Sequence, residues 1–315
     1  MIRLILITHR RWFSCLAVLV AVVAVVTAAA RPAAAARSRV SVAAAFYPVA
    51  YAAQQVGGRR VAVTNLTPVG AEPHDLELNS DQLDELLEAK VAFVLGSGFQ
   101  PAVEKAADRR DGPTVELLPN LVDARGKKVA KEGESSGLDP HVWLDPVLMS
   151  QLVGVVERGL AAADPPSAAT YERNTRALQD RLAALDARYR ARLSGCARNL
   201  LVTSHDAFGY LASRYGLKQQ GVAGISPDQE PDPKRLGELA QLARDQGVTT
   251  VFTEEVVSPR IAETLARDAG GLRTETLSPL ESLSQKERAA KADYFTLMST
   301  NLNKIANALG CPPPS

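Results

Sequence analysis

Residues 165–195 read PPSAATYERNTRALQDRLAALDARYRARLSG, and their pattern decides the architecture. Tyr171, Leu178, Leu182, Leu185, Tyr189 and Leu193 recur at spacings of three, four or seven, which is one apolar stripe down a helix. Pro165 and Pro166 start it and Gly195 stops it. The stretch from Ser167 to Leu193 predicts a helix roughly 40 Å long at about 1.5 Å per residue. On both sides, short Val-rich or Leu-rich runs alternate with helical patterns. Before it, Arg39–Ala45, Arg60–Leu66, Val91–Leu95 and Thr114–Leu118 read as strands, with a helix at Ser80–Ala89. After it come a strand at Asn199–Thr203, a helix from Asp206 to Tyr215 and another from Pro233 to Gln246. A strand at Thr249–Thr253, a helix opened by Ser258-Pro259, a strand at Leu272–Leu277 and a helix from about Ala292 to Leu309 complete the chain. Such alternation predicts an α/β fold of two lobes, each a mainly parallel sheet flanked by helices, joined by one long rigid helix. The expected boundaries are 37–165 for the first lobe, 166–195 for the linker helix and 196–315 for the second lobe.

Residues 1–36 read as an export signal. Arg10 and Arg11 precede an apolar run from Cys15 to about Ala30, and small residues end the segment at Ala34-Ala35-Ala36. The alternative is a retained anchor helix, for which the run is slightly short. Either way the chain is expected outside the cytoplasm, periplasmic or at the cell surface. Taking the four arginines of this segment from the 36 basic residues leaves 32 against 35 acids, or −3. A body so close to neutral carries no electrostatic footprint for nucleic acid. Cys196 and Cys311 are the two cysteines outside the signal, and in an oxidising compartment an even pair reads as one disulfide. Two independent buried thiols are the alternative. Residues 124–137, rich in Lys, Glu, Ser and Gly, read as a surface loop.

Beyond the signal the chain has three histidines, each in a short turn beside a strand end. His74 lies in Gly70-Ala71-Glu72-Pro73-His74-Asp75, His141 in DPHVWLDP (139–146) and His205 in Thr203-Ser204-His205-Asp206. Ligands in open α/β sheets bind outside the carboxyl ends of strands, so the three imidazoles can converge in one cleft. Three neutral imidazoles suit Zn²⁺, whereas manganese or magnesium would want more oxygen donors. A single histidine is more often a surface or packed residue, so the spacing alone leaves the site open. Competing chemistries lack their motifs: there is no His-Glu-x-x-His, no Cys-x-x-Cys, no Gly-x-Ser-x-Gly and no phosphate-binding loop. Asp145 and Asp206 are candidates to orient the ligand histidines, and Glu254-Glu255 could do the same from the end of a strand.

The segments Gly70–Leu78, DPHVWLDP (139–146) and SHDAFGY (204–210) resemble the three ligand segments of zinc/manganese solute-binding proteins of ABC importers. The likeness extends to VFTE (251–254) and YFTLMSTNLNKIANAL (294–309). It implies a metal site of His74, His141 and His205, with histidine at the third position favouring zinc over manganese, and a Cys pair like that of one zinc-binding branch. In this family the fourth ligand is often the Asp of Leu-Asp-Pro-Leu, but here the segment reads Leu277-Ser278-Pro279-Leu280. A neutral hydroxyl is a poor zinc ligand. Water, or a carboxylate such as Glu281, Glu72 or Glu255, is therefore expected at or near the position Ser278 marks. The His-rich loop of many zinc members is absent from residues 124–137.

The resemblance implies a monomeric, non-enzymatic binding protein that captures Zn²⁺ between two lobes and delivers it to an ABC importer permease, with a metallochaperone as a candidate loading partner. A manganese or other divalent-metal binder of the same type is the alternative. A three-histidine zinc hydrolase, a binder of small organic solutes and a surface adhesin are more remote.

Overall fold

A computed structural model of the chain describes residues 38–123, 138–227, 233–255 and 258–313. The export-signal reading of residues 1–36 and the surface-loop reading of 124–137 lie outside them. In the first lobe the strands are β1 (Val40–Ala44), β2 (Val61–Asn65), β3 (Val91–Val94) and β4 (Thr114–Glu116). They pair in the order β2-β1-β3-β4, all parallel. The second lobe repeats the plan with β5 (Leu200–Thr203), β6 (Lys218–Gly221), β7 (Thr250–Thr253) and β8 (Arg273–Thr276), in the parallel order β6-β5-β7-β8. Central strands such as β3 and β5 are buried along their whole length, as parallel strands covered on both faces must be.

The helices of the first lobe are α1 (Tyr47–Gly57), α2 (Ser80–Glu88), α3 (Pro101–Ala107) and α4 (Pro146–Ala163). The long helix, α5, runs from Ala168 to Arg192 and spans about 37 Å at 1.5 Å per residue. Its buried stripe is Tyr171, Thr175, Leu178, Leu182, Leu185 and Tyr189. Polar ends fasten it to both lobes. The Asn174 and Gln179 side chains donate to the carbonyls of Val56 and Ser150 at 2.8 and 3.1 Å. The Tyr189 hydroxyl donates to the Met298 carbonyl at 2.7 Å, and Arg192 reaches the Pro312 carbonyl. The remaining helices are α6 (Gly209–Arg214), α7 (Pro233–Asp245), α8 (Arg260–Asp268), α9 (Gln285–Ala289) and α10 (Tyr294–Leu309). Cys196 and Cys311 form a disulfide that ties the end of α10 to the start of the second lobe.

One apolar cluster runs through both lobes, from Phe93 and Trp143 across the α5 stripe to Phe208, Phe252 and Tyr294. A smaller one, with Val202, Leu239, Val251 and Leu265, covers the other face of the second sheet. Wide separation of the lobes would expose the shared core to water, so the packing favours local loop movement over a large hinge.

Two differences from the sequence reading have local causes. The strand β6 reads Lys-Gln-Gln-Gly and lies at the edge of its sheet, where water on one side removes the need for apolar residues. The helix expected from Asp206 begins only at Gly209. Asp206 instead anchors a loop, accepting the Gly221 N–H on its carboxylate at 2.6 Å and donating its own N–H to the Gly224 carbonyl at 2.8 Å. Those bonds fix the chain where it leaves His205.

Candidate metal centre

Every element of the site lies beyond the carboxyl end of a strand. His74 follows β2, His141 follows β4, His205 follows β5, Glu254 follows β7 and Glu281 follows β8. The His74 loop is held from beneath. Thr67 Oγ1 donates to the Ala45 carbonyl, and the Glu72 carboxylate accepts the His74 N–H at 3.0 Å. His141 precedes the short 3₁₀ turn Val142–Leu144, and its backbone N–H donates to Asp139 at 3.0 Å. The carbonyl of His205 accepts from Thr203 Oγ1 at 2.7 Å and from Gln219 Nε2 at 2.9 Å.

Glu281 is delivered by an irregular loop in which Leu280 adopts a left-handed backbone, φ 57°, unusual for a branched side chain. The surroundings hold that conformation. Asn301 clasps Ser278 through both its N–H and its carbonyl, Ser278 Oγ accepts the Leu280 N–H, and Trp143 Nε1 donates to the Pro279 carbonyl at 2.8 Å. Ser282 Oγ bridges back to the His74 loop, donating to the Pro68 carbonyl and accepting from the Gly70 N–H, both at 3.1 Å.

The donor atoms of His74, His141, His205 and Glu281 all lie within 4.8 Å of one another. Glu281 Oε1 is 3.0 Å from His141 Nε2, 3.3 Å from His205 Nε2 and 3.6 Å from His74 Nε2, and His141 Nε2 and His205 Nε2 are 3.3 Å apart. A tetrahedron with zinc–ligand bonds of about 2.05 Å has edges of about 3.3 Å. These four of its six edges are close to that length, and the two from His74 to the other histidines stay within 4.8 Å.

Tautomers sharpen the point. His141 Nδ1 is 2.8 Å from Asp139 Oδ1, and His205 Nδ1 is 2.7 Å from Glu254 Oε1. A carboxylate at Nδ1 takes the ring proton there and turns a bare Nε2 inward. Two bare nitrogens then face a carboxylate oxygen to which no protein group donates in hydrogen-bond geometry. Acceptors pressed this close repel unless positive charge lies among them, either a metal ion or the protons of charged imidazoles.

Charge follows the same logic. Burial alone would raise the Glu281 carboxyl, but contacts with His141, His205 and His74 hold it well below the usual range. Burial lowers His141 and His205, yet both end above the ordinary imidazole value, His141 through Asp139 and Glu281, His205 through Glu254 and Glu281. Glu72, half-buried and repelled by Glu281, is pushed up to about 8. Three of the four converging residues are fully buried, while the His74 side chain keeps 9% of its surface exposed.

Of the residues considered for the fourth position, Glu281 stands in the group with the three histidines. Ser278 instead braces the loop, Glu72 accepts the His74 N–H, and Glu255 is exposed. The orienting carboxylates are Asp139 and Glu254. Asp145 caps α4 and pairs with Arg214, and Asp206 holds its loop. Asp139 could have been found in the sequence, because an Asp two residues before a histidine can fold back onto both its N–H and its ring.

The zinc-binding lipoprotein AdcA of Streptococcus pneumoniae (strain TIGR4) is 34% identical over 270 residues, covering 82% of this chain and 54% of the relative. The chain thus spans about half the length of that relative. The high-affinity zinc uptake system protein ZnuA of Bacillus subtilis (strain 168) is 32% identical over 275 residues, covering 84% of this chain and 86% of the relative. Among solved structures, the Zn(II)-bound ZnuA-like domain of S. pneumoniae AdcA superposes with a TM-score of 0.72 at 32% identity, covering 87% of this chain and 100% of that one. With a match over residues 42–308, the chain belongs to the ZnuA family, described as zinc-uptake complex component A, periplasmic.

Proposed function

We propose that the protein captures one Zn²⁺ outside the cytoplasm and delivers it to the permease of an ABC importer, with His74, His141, His205 and Glu281 as the ligands. The observation that carries this reading is the convergence of four acceptor atoms within 4.8 Å of one another, with Glu281 Oε1 at 3.0–3.6 Å from the three histidine nitrogens. Three imidazoles and one carboxylate form a nitrogen-rich, compact set that suits zinc better than manganese. A carboxylate at the fourth corner leaves no open position of the kind a catalytic zinc keeps for water, which supports a carrier over a hydrolase. In the same reading, residues 37–165 and 196–315 are the two lobes, 166–195 the connecting helix, and residues 1–36 direct export.

Capture follows from the residues' own geometry. Asp139 and Glu254 keep two imidazoles in the binding tautomer before metal arrives, which reduces the ordering that binding must impose. The partly exposed His74 completes the shell. Release to a permease requires that a second conformation bind the metal less tightly, and the shared core restricts that conformation to the site loops. The test is titration of the chelator-stripped chain, residues 37–315, with Zn²⁺ and with Mn²⁺. One tight equivalent of zinc and much weaker manganese binding are expected. No stoichiometric zinc would overturn the proposal.

A further inference from the structure

The two carboxylates that orient the site differ in their surroundings. Glu254, at 1% exposure, is sealed behind His205, whereas Asp139 keeps 26% of its side chain exposed. Asp139 lines an open cavity of about 440 Å³ together with Asp206, Gly209, Ala212, Ser213 and Gln219. Its two oxygens have different neighbours. Oδ1 accepts from both the N–H and the ring of His141, while Oδ2 points toward Gly209, the first residue of α6. A Cβ at position 209 would lie 2.6 Å from that Oδ2, and the next nearest atoms are 3.8 Å (Asp139 Cγ) and 3.9 Å (Gln219 Oε1). A methyl group would therefore fit the cavity with a single obstruction, the Asp139 carboxylate.

We infer that Gly209 is a positioning residue for the metal centre: its missing side chain is the space that lets Asp139 reach His141. Turning the carboxylate to clear a methyl group moves Oδ1 as well as Oδ2, because both ride on one bond, and so breaks the hold on His141 Nδ1. The glycine of SHDAFGY and the aspartate of DPHVWLDP thus form one device, built from segments 70 residues apart in numbering and joined only in the fold. Backbone freedom is not the reason for glycine here, since its φ lies outside the left-handed region. Alanine is also the better helix former, so the change would ordinarily stabilise α6.

This inference rests on the zinc reading, and its test separates the two. Zinc dissociation constants are measured by chelator competition for the parent chain, Gly209→Ala, Asp139→Ala and the double variant, with apo melting temperatures as a check on folding. The parent must bind zinc, or the functional reading itself fails. The expected result is a loss of about ten- to hundredfold for each single variant, the scale of a removed orienting partner. The double variant should be no weaker than Asp139→Ala, because the obstruction has gone, and apo melting of Gly209→Ala should not fall. Parent-like affinity of Gly209→Ala, or additive losses in the double variant, would overturn the inference. Should Gly209→Ala fold poorly, the double variant decides alone: refolding and affinity equal to Asp139→Ala support the device, and continued misfolding refutes it.

Discussion

Trp143 Nε1 donates to the Pro279 carbonyl at 2.8 Å, so the motif that carries His141 also grips the loop that carries Glu281. The two residues come from different lobes and are held in register by one buried hydrogen bond. Tyr294 extends the grip by donating its hydroxyl to the Trp143 carbonyl at 2.6 Å. The indole is thus a structural pin with apolar sides, packed against Phe46, Phe99 and the His141 ring.

Trp143→Phe keeps most of that packing but leaves the Pro279 carbonyl without its donor. A buried acceptor stripped of its partner costs about 1–3 kcal/mol. Thermal melting of the variant should show that loss, and chelator competition should show weaker zinc binding as the Glu281 loop loosens. Unchanged affinity would mean that Asn301 and Ser282 hold the loop without the indole.

Glu254→Gln replaces the acceptor at His205 Nδ1 with a neutral group that can present either end. Zinc affinity should fall about ten- to hundredfold, the usual cost of removing such a partner. Isothermal titration of the variant beside the parent checks it, and equal constants would deny Glu254 its orienting role.

Acidity should act on zinc-free and zinc-loaded protein in opposite directions. His141 and His205 are raised in the folded chain, so their contribution to apo stability is full below the unfolded imidazole value near 6.5 and fades as pH rises through the folded values. Zinc must displace those protons, so its binding strengthens over the same rise. Glu281, held low, stays ionised throughout this range. The melting-temperature gap between zinc-loaded and apo protein should widen from pH 5.5 to pH 8. A constant gap would contradict imidazole ligation.

Cys311→Ser opens a link between residues 115 apart in sequence. Denaturant unfolding should show a loss of about 2–5 kcal/mol, the usual cost of removing a native disulfide. Zinc affinity should be preserved, because the bond lies at the α10 terminus and no cysteine is among the site residues. A large drop in affinity would show that the tail influences the site.

Much of this was legible in the sequence, for physical reasons. Strands such as Val91–Val94 announce themselves because both faces are buried, and α5 because one stripe must be apolar. The three histidines stood out because little else in their loops needed imidazole. Other features depend on contacts far apart in sequence. Periodicity cannot reveal β6, whose polar residues sit at a sheet edge. Nor can it choose Glu281 over Ser278, since the choice turns on a left-handed Leu280 and on Asn301 and Trp143 bracing the loop. Asp145 and Asp206 were reasonable candidates to orient histidines because each is close to one in sequence. In the fold, helix capping claims the first and a loop anchor the second.

Zinc K-edge X-ray absorption of the loaded chain reads out the proposed shell of three imidazoles and the Glu281 carboxylate. That shell predicts one zinc per chain with about four nitrogen or oxygen neighbours at roughly 2.0–2.1 Å, three of them imidazole. It also predicts a changed shell in Glu281→Ala and an imidazole lost in His205→Ala. A shell of six oxygens, or spectra identical in the parent and both variants, would contradict it.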